Sequence, residues 1–116
     1  MSKYKDLIVW QKANDLALKV YKLTETFPKK ETFGITSQIR RAALSVPTNI
    51  VEGYGRRTKN ELSRFIDIAR GSLAETEYLL EFSKELGYIK TEDDIKNIEL
   101  LIEETGKLLW GFQKKL

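Results

Sequence analysis

Four stretches of this 116-residue chain repeat their apolar residues at three- and four-residue steps, which commits most of it to amphipathic helices. The first runs from about Val9 to Thr26, with Trp10, Ala13, Ala17, Val20, Thr24 and Phe27 on one stripe, and Pro28 and the polar KKET run end it. The third extends from about Lys59 to Leu86, and the fourth follows Thr91 with Ile95, Ile98, Ile102, Thr105, Leu109 and Phe112 on the seam. The connections YGRRT and GYIK are short and favour antiparallel neighbours. The expected fold is all-α: an up-down-up-down antiparallel four-helix bundle, one domain over residues 1–116.

The second stretch contains RRAALSVPTNIVEGYGRR, two arginine pairs bracketing a proline and a Gly-x-Gly. Ile39, Ala43, Val46 and Ile50 keep one stripe in phase across Pro47, and a loop does not hold such a register. An interior proline costs about 3 kcal/mol, while burying Val46 and Ile50 returns roughly 1.5–3 kcal/mol each. A proline-kinked helix is therefore expected, begun near Gly34 with the Thr36 or Ser37 hydroxyl as cap and stopped at Gly53 and Gly55 by their tolerance of positive φ. EGYGRRT is no phosphate loop: the Gly-Lys-Ser/Thr ending, the third glycine of a dinucleotide fingerprint and the preceding strand are all missing.

Thr58 with Glu61 and Thr91 with Asp94 read as capping boxes opening the third and fourth helices, and Gly87 closes the third. Leu62, Ile66, Ala69, Leu73, Thr76 and Leu80 form one apolar set on the third helix; Phe65, Ile68, Ser72, Leu79, Phe82 and Leu86 form another. Together they span an arc of about 200°, wider than the 100° or so that one core requires, so surplus apolar surface is expected to meet a partner. Gly106 and Gly111 offer close approach on the fourth helix.

With no cysteine and no histidine, the chain lacks disulfides, thiolate chemistry and the commonest general base and metal ligand. A di-iron bundle built on Glu-x-x-His is excluded for the same reason. No apolar run reaches the ~20 residues that cross a bilayer, so no membrane partner and a cytoplasmic location are expected. No cofactor is expected either.

The net charge of +3 hides a strong asymmetry: residues 36–70 carry seven bases against three acids, whereas residues 71–110 carry four against ten. Every arginine lies between Arg40 and Arg70. Guanidinium groups suit bidentate phosphate and carboxylate recognition, which makes Arg40, Arg41, Arg56, Arg57, Lys59 and Arg64 the candidate nucleic-acid-binding residues.

The stretches LIVWQKANDLALKVY, FGITSQIRRAALSVPTNIVEGYGR and FIDIARGSLAETEYLLEFSKELGYI resemble the four-helix-bundle proteins encoded within intervening sequences of bacterial 23S ribosomal RNA genes. That resemblance covers nearly the whole chain. It implies a homopentamer, a ring of bundles around a channel, and a relation to accessory proteins of diversity-generating retroelements, where a basic pentamer binds nucleic acid and a reverse transcriptase. By similarity Arg40, Arg41, Arg56 and Arg57 belong to the basic surface, and five copies at +3 carry +15.

Two functional classes remain. One is a non-catalytic, oligomeric nucleic-acid-binding accessory protein that gathers RNA or DNA phosphates. The other is a scaffold whose ring recruits another protein, with Arg40 or Arg41 pairing to Glu75, Glu77 or Glu81 across an interface. Catalysis has no evident machinery, since Asn49 and Glu52 are expected to satisfy backbone groups freed by Pro47 and by the helix end. Tyr54 packs on the core or stacks on an unpaired base. Trp10 and Trp110 are expected to be adjacent and to pack at one end of the bundle.

Overall fold

The computed structural model describes residues 3–116. Among them there is no strand; four helices carry the fold: α1 (Ile8–Thr24), α2 (Ile35–Tyr54), α3 (Lys59–Glu85) and α4 (Glu92–Lys114), with short 3₁₀ turns at Lys3–Asp6 and Lys29–Glu31. Helices α1 and α3 each pack against α2 and α4, so the four enclose a common core in a molecule 43 × 25 × 25 Å in extent. A 27-residue α3 rising ~1.5 Å per residue spans nearly that whole length.

Each apolar stripe faces inward. Leu16, Val20, Ile39, Val46, Ile50, Ile66, Leu80 and Leu109 are fully buried. The helix α1 ends at Thr24, two residues earlier than its periodicity predicts, because side chains compete for its last carbonyls. The Thr24 hydroxyl donates to Val20 O at 2.8 Å, and the Thr26 hydroxyl donates to Leu23 O at 3.0 Å.

Helix α2 runs unbroken through Pro47. The turn before the proline is served by side chains: the Thr48 hydroxyl donates to Leu44 O at 2.8 Å and Asn49 Nδ2 to Ser45 O at 2.7 Å. Asn49 thus bonds within that turn but not to Ala43 O, the carbonyl that loses its amide partner to Pro47. Glu52 is exposed and pairs with Arg56 at 3.5 Å, so neither residue plays the part expected of it. The start of α2 also differs. Gly34 occupies the cap position with no side-chain bond of its own, and the Glu31 carboxylate from the preceding turn accepts from the Ile35 amide at 3.3 Å. Thr36 is already inside the helix, buried, with its hydroxyl unpartnered.

Gly53 does not end α2. It lies within the helix and is buried, and a Cβ there would stand 2.8 Å from Phe65 Cβ and 2.9 Å from Leu62 Cδ1. Its function is close approach of α2 to α3, and the cap is Gly55 at an ordinary φ of −84°. A genuine left-handed glycine closes α3: Gly87 has φ +78°, its amide donates to Lys84 O, and the Tyr88 amide donates to Ser83 O, both at 3.0 Å. Both expected threonine caps form, Thr58 accepting from the Glu61 amide at 3.1 Å and Thr91 from Asp94 at 3.3 Å. Gly106 would place a Cβ at ordinary contact distance from Leu73, and Gly111 faces open space, so neither is required for packing.

Candidate nucleic-acid interface

The turn between α2 and α3 presents RRTK because two helices must end and begin within four residues. Gly55 caps one and Thr58 the other, which leaves Arg56 and Arg57 on the connection and Lys59 at the first position of α3. Arg57, Lys59 and, one turn further on, Arg64 are exposed and make no ion pair among the described residues. Arg56 is partly engaged: its guanidinium lies 4.7 Å over the Phe65 ring while pairing with Glu52. Tyr54 is exposed beside them.

The other two candidates stand elsewhere. Thirteen helical steps, about 20 Å, separate Arg41 from Tyr54 at the end of α2, and Arg56 lies beyond it. Arg40 is spent inside the chain: Nε donates to Thr24 Oγ1 at 2.7 Å, a second nitrogen donates to Tyr21 O at 3.1 Å, and the group stacks 4.7 Å over the Tyr21 ring. It pins α2 to the last turn of α1. Arg41 is exposed and free of ion pairs among the described residues, in a groove between α2 and α3 shared with Glu75.

Sequence spacing alone missed the contribution of the chain's C-terminus. Gln113 Nε2 donates to Ser63 O at 3.1 Å and to Asp67 Oδ1 at 2.7 Å, and its side-chain oxygen accepts from Arg70 at 3.1 Å. These bonds seat the end of α4 on the first turns of α3, so Lys114 and Lys115 join the end of the bundle that carries Arg57, Lys59 and Arg64. The signal was present in the two lysines closing the fourth stripe, once that stripe is laid beside the third. Arg70 itself is held over Trp110 at 5.1 Å. Trp110 remains 52% exposed and so does not pack into the core of its own chain, while Trp10 packs edge-on against Tyr4 at 5.0 Å.

Chemically, Arg57, Lys59 and Arg64 offer guanidinium and ammonium donors without ion-pair partners among the described residues, the requirement for sequence-independent phosphate contacts. Among the described residues no group of three acidic side chains is placed to hold a metal ion. No helix among the described residues is long and apolar enough to cross a membrane. The surplus arc of α3 is visible as Ile68, Phe82 and Leu86, each more than 40% exposed, whereas Ile66, Ala69, Leu73, Thr76 and Leu80 are buried.

A family model described as 23S rRNA-intervening sequence protein matches residues 5–111. No curated protein matches. Among solved structures, a protein with unknown function from the S23 ribosomal protein family of Bacteroides thetaiotaomicron VPI-5482 is 27% identical and aligns with a TM-score of 0.81, over 92% of this chain and 99% of its own.

Proposed function

This chain belongs to the 23S rRNA-intervening sequence protein family, and we propose that it is a non-catalytic accessory protein that binds nucleic-acid phosphates through the end of the bundle formed by the α2–α3 turn. The observation that carries this reading is that Arg57, Lys59 and Arg64 are exposed with no acidic partner among the described residues, although the chain has acids to spare. RNA is the polymer to test first, given the ribosomal RNA in the family's description.

The finer architecture belongs to the same proposal. Contacts of Gly53 with Leu62 and Phe65, of Ser45 with Ser72, and of Lys12 with Glu104 support helices alternating in direction. A bend of α2 at Pro47 belongs to the proposal on the separate ground that an interior proline removes a backbone hydrogen bond. The exposed apolar row Ile68, Phe82 and Leu86 supports assembly, and the resemblance to ring-forming relatives makes a homopentamer the expected form. Five positive ends in one ring multiply the field that a single copy offers.

The test is a titration of single-stranded RNA and duplex DNA at several salt concentrations. Log affinity should fall with log salt at about −0.9 per neutralised phosphate on duplex DNA and about −0.7 on single strands. Charge reversal at Arg57 and Arg64 should weaken every polymer alike. Affinity absent at low salt, or indifferent to both reversals, overturns the proposal.

A second reading, a scaffold that recruits a reverse transcriptase or another protein, is favoured by one observation. Tyr78, Phe82 and Leu86 line an open groove on the α3 side of the bundle. Substituting Tyr78 by Ser should then abolish partner capture while leaving phosphate binding intact.

A further inference from the structure

Phe33 is 97% exposed, an arrangement that no packing within the chain explains. It stands at the mouth of a groove of about 650 Å³ between α2 and α3, whose walls also carry Ser37, Gln38, Arg41, Ser72 and Glu75. That volume is within the range of small-ligand sites, roughly 300–1,000 Å³. The floor is ordered: the Ser72 hydroxyl donates to Ser45 Oγ at 2.9 Å, and Asn49 Nδ2 donates to the same oxygen at 2.8 Å. Arg41 and Glu75 are both exposed and make no ion pair among the described residues.

We propose that this groove binds one unpaired guanine nucleotide, with the base on Phe33, its donor edge on Glu75 and its phosphate on Arg41. The assignment rests on the nucleic-acid reading above and deepens it, from phosphate contacts at one end of the bundle to a base contact on its side. Each part has a chemical reason. An aromatic ring free on its face is a stacking platform for an unpaired base. A carboxylate only accepts hydrogen bonds, so it matches the adjacent N1–H and N2–H donors of guanine and is a poor match for bases that present acceptors at that edge. The guanidinium supplies two parallel donors to a phosphate. The polar walls distinguish this groove from the apolar one lined by Tyr78, Phe82 and Leu86, which suits a protein surface.

The test uses fluorescence anisotropy with a labelled uridine octamer carrying one central guanine, the same octamer carrying adenine instead, and a duplex of matched length. The guanine octamer should bind tighter than the adenine one. Because Phe33 touches so little, Phe33→Ala should leave the fold intact and weaken the guanine octamer roughly five- to hundredfold, the usual worth of one stacked base. The duplex should be unaffected. Glu75→Gln should erase the preference for guanine over adenine.

If octamer and duplex both bind with salt dependence but Phe33→Ala changes neither, the phosphate reading stands and the base site falls. If no polymer binds at low salt, both fall. A change in sedimentation on Phe33→Ala, with octamer affinity unchanged, gives the ring to a contact between proteins and overturns the proposal. Competition by guanosine monophosphate as effective as the octamer's own binding assigns the pocket to the free nucleotide and overturns the strand.

Discussion

Gly53 and Gly55 sit two positions apart and do different work. A methyl group at Gly53 meets the Cβ of Phe65, which belongs to the backbone scaffold of α3 and cannot swing aside, so the helices must separate. Overpacking of this kind costs about 1–3 kcal/mol and outweighs the ~1 kcal/mol that alanine gains over glycine in a helix. Gly53→Ala should therefore lower the urea midpoint, while Gly55→Ala, whose Cβ would come no nearer than 3.7 Å to Glu52 O, should change stability by no more than about 0.5 kcal/mol. A second residue pair reports through pH. Tyr88 Oη donates to the Glu31 carboxylate at 2.8 Å, and this hydrogen bond, with burial and the carboxylate's charge, raises the Tyr88 pKa above its ordinary value. A phenol whose folded pKa is raised adds stability that is complete below pH ~10 and is lost as pH climbs through the folded pKa. The stability difference between the wild type and Tyr88→Phe should thus shrink above pH ~10, as read from paired urea melts at about pH 8 and about pH 10.5.

Helix starts differ in how openly the chain declares them. Thr58 and Thr91 are local signals, each accepting from an amide three residues on, and both were legible in the sequence. Thr58→Ala should cost about 1 kcal/mol in a thermal or urea melt. The same change at Thr36 should cost no cap energy, because the carboxylate of Glu31 caps α2 instead. That exchange was hidden, since Glu31 is fixed in place by Tyr88, 57 residues away, and no local pattern encodes such a tie. Helix number, phase through Pro47 and the buried faces were legible for the opposite reason: periodicity is a property of neighbours along the chain. The candidate site divides in the same manner. The exposure of Arg57, Lys59 and Arg64 follows from a turn squeezed between two helix ends, but the capture of Arg40 by Thr24 and Tyr21 depends on partners 16 and 19 residues away. Gly53 was misread because a glycine near a helix end and a glycine at a close crossing look alike until the neighbouring helix is in place.

Folding gathers charge that the chain keeps apart. Counting along the sequence, the basic middle and the two closing lysines are separated by an acidic stretch of forty residues. In three dimensions the Gln113 bonds to Ser63, Asp67 and Arg70 bring Lys114 and Lys115 to the end that carries Arg57, Lys59 and Arg64. Lys29 and Lys30 lie at the opposite end, beside the Glu31–Tyr88 hydrogen bond. If a polyanion lies across the first end, reversing Lys114 and Lys115 together should flatten the slope of log affinity against log salt by about 0.9 for each duplex phosphate that is no longer neutralised. The Lys29→Glu, Lys30→Glu pair changes the net charge by the same amount and should leave the slope as it was. Equal effects from the two pairs would mean that total charge, not place, governs binding. No effect from Lys114 and Lys115 would confine binding to the α2–α3 turn. Circular dichroism on both double variants checks that the helices persist, which the exposure of all four lysines predicts.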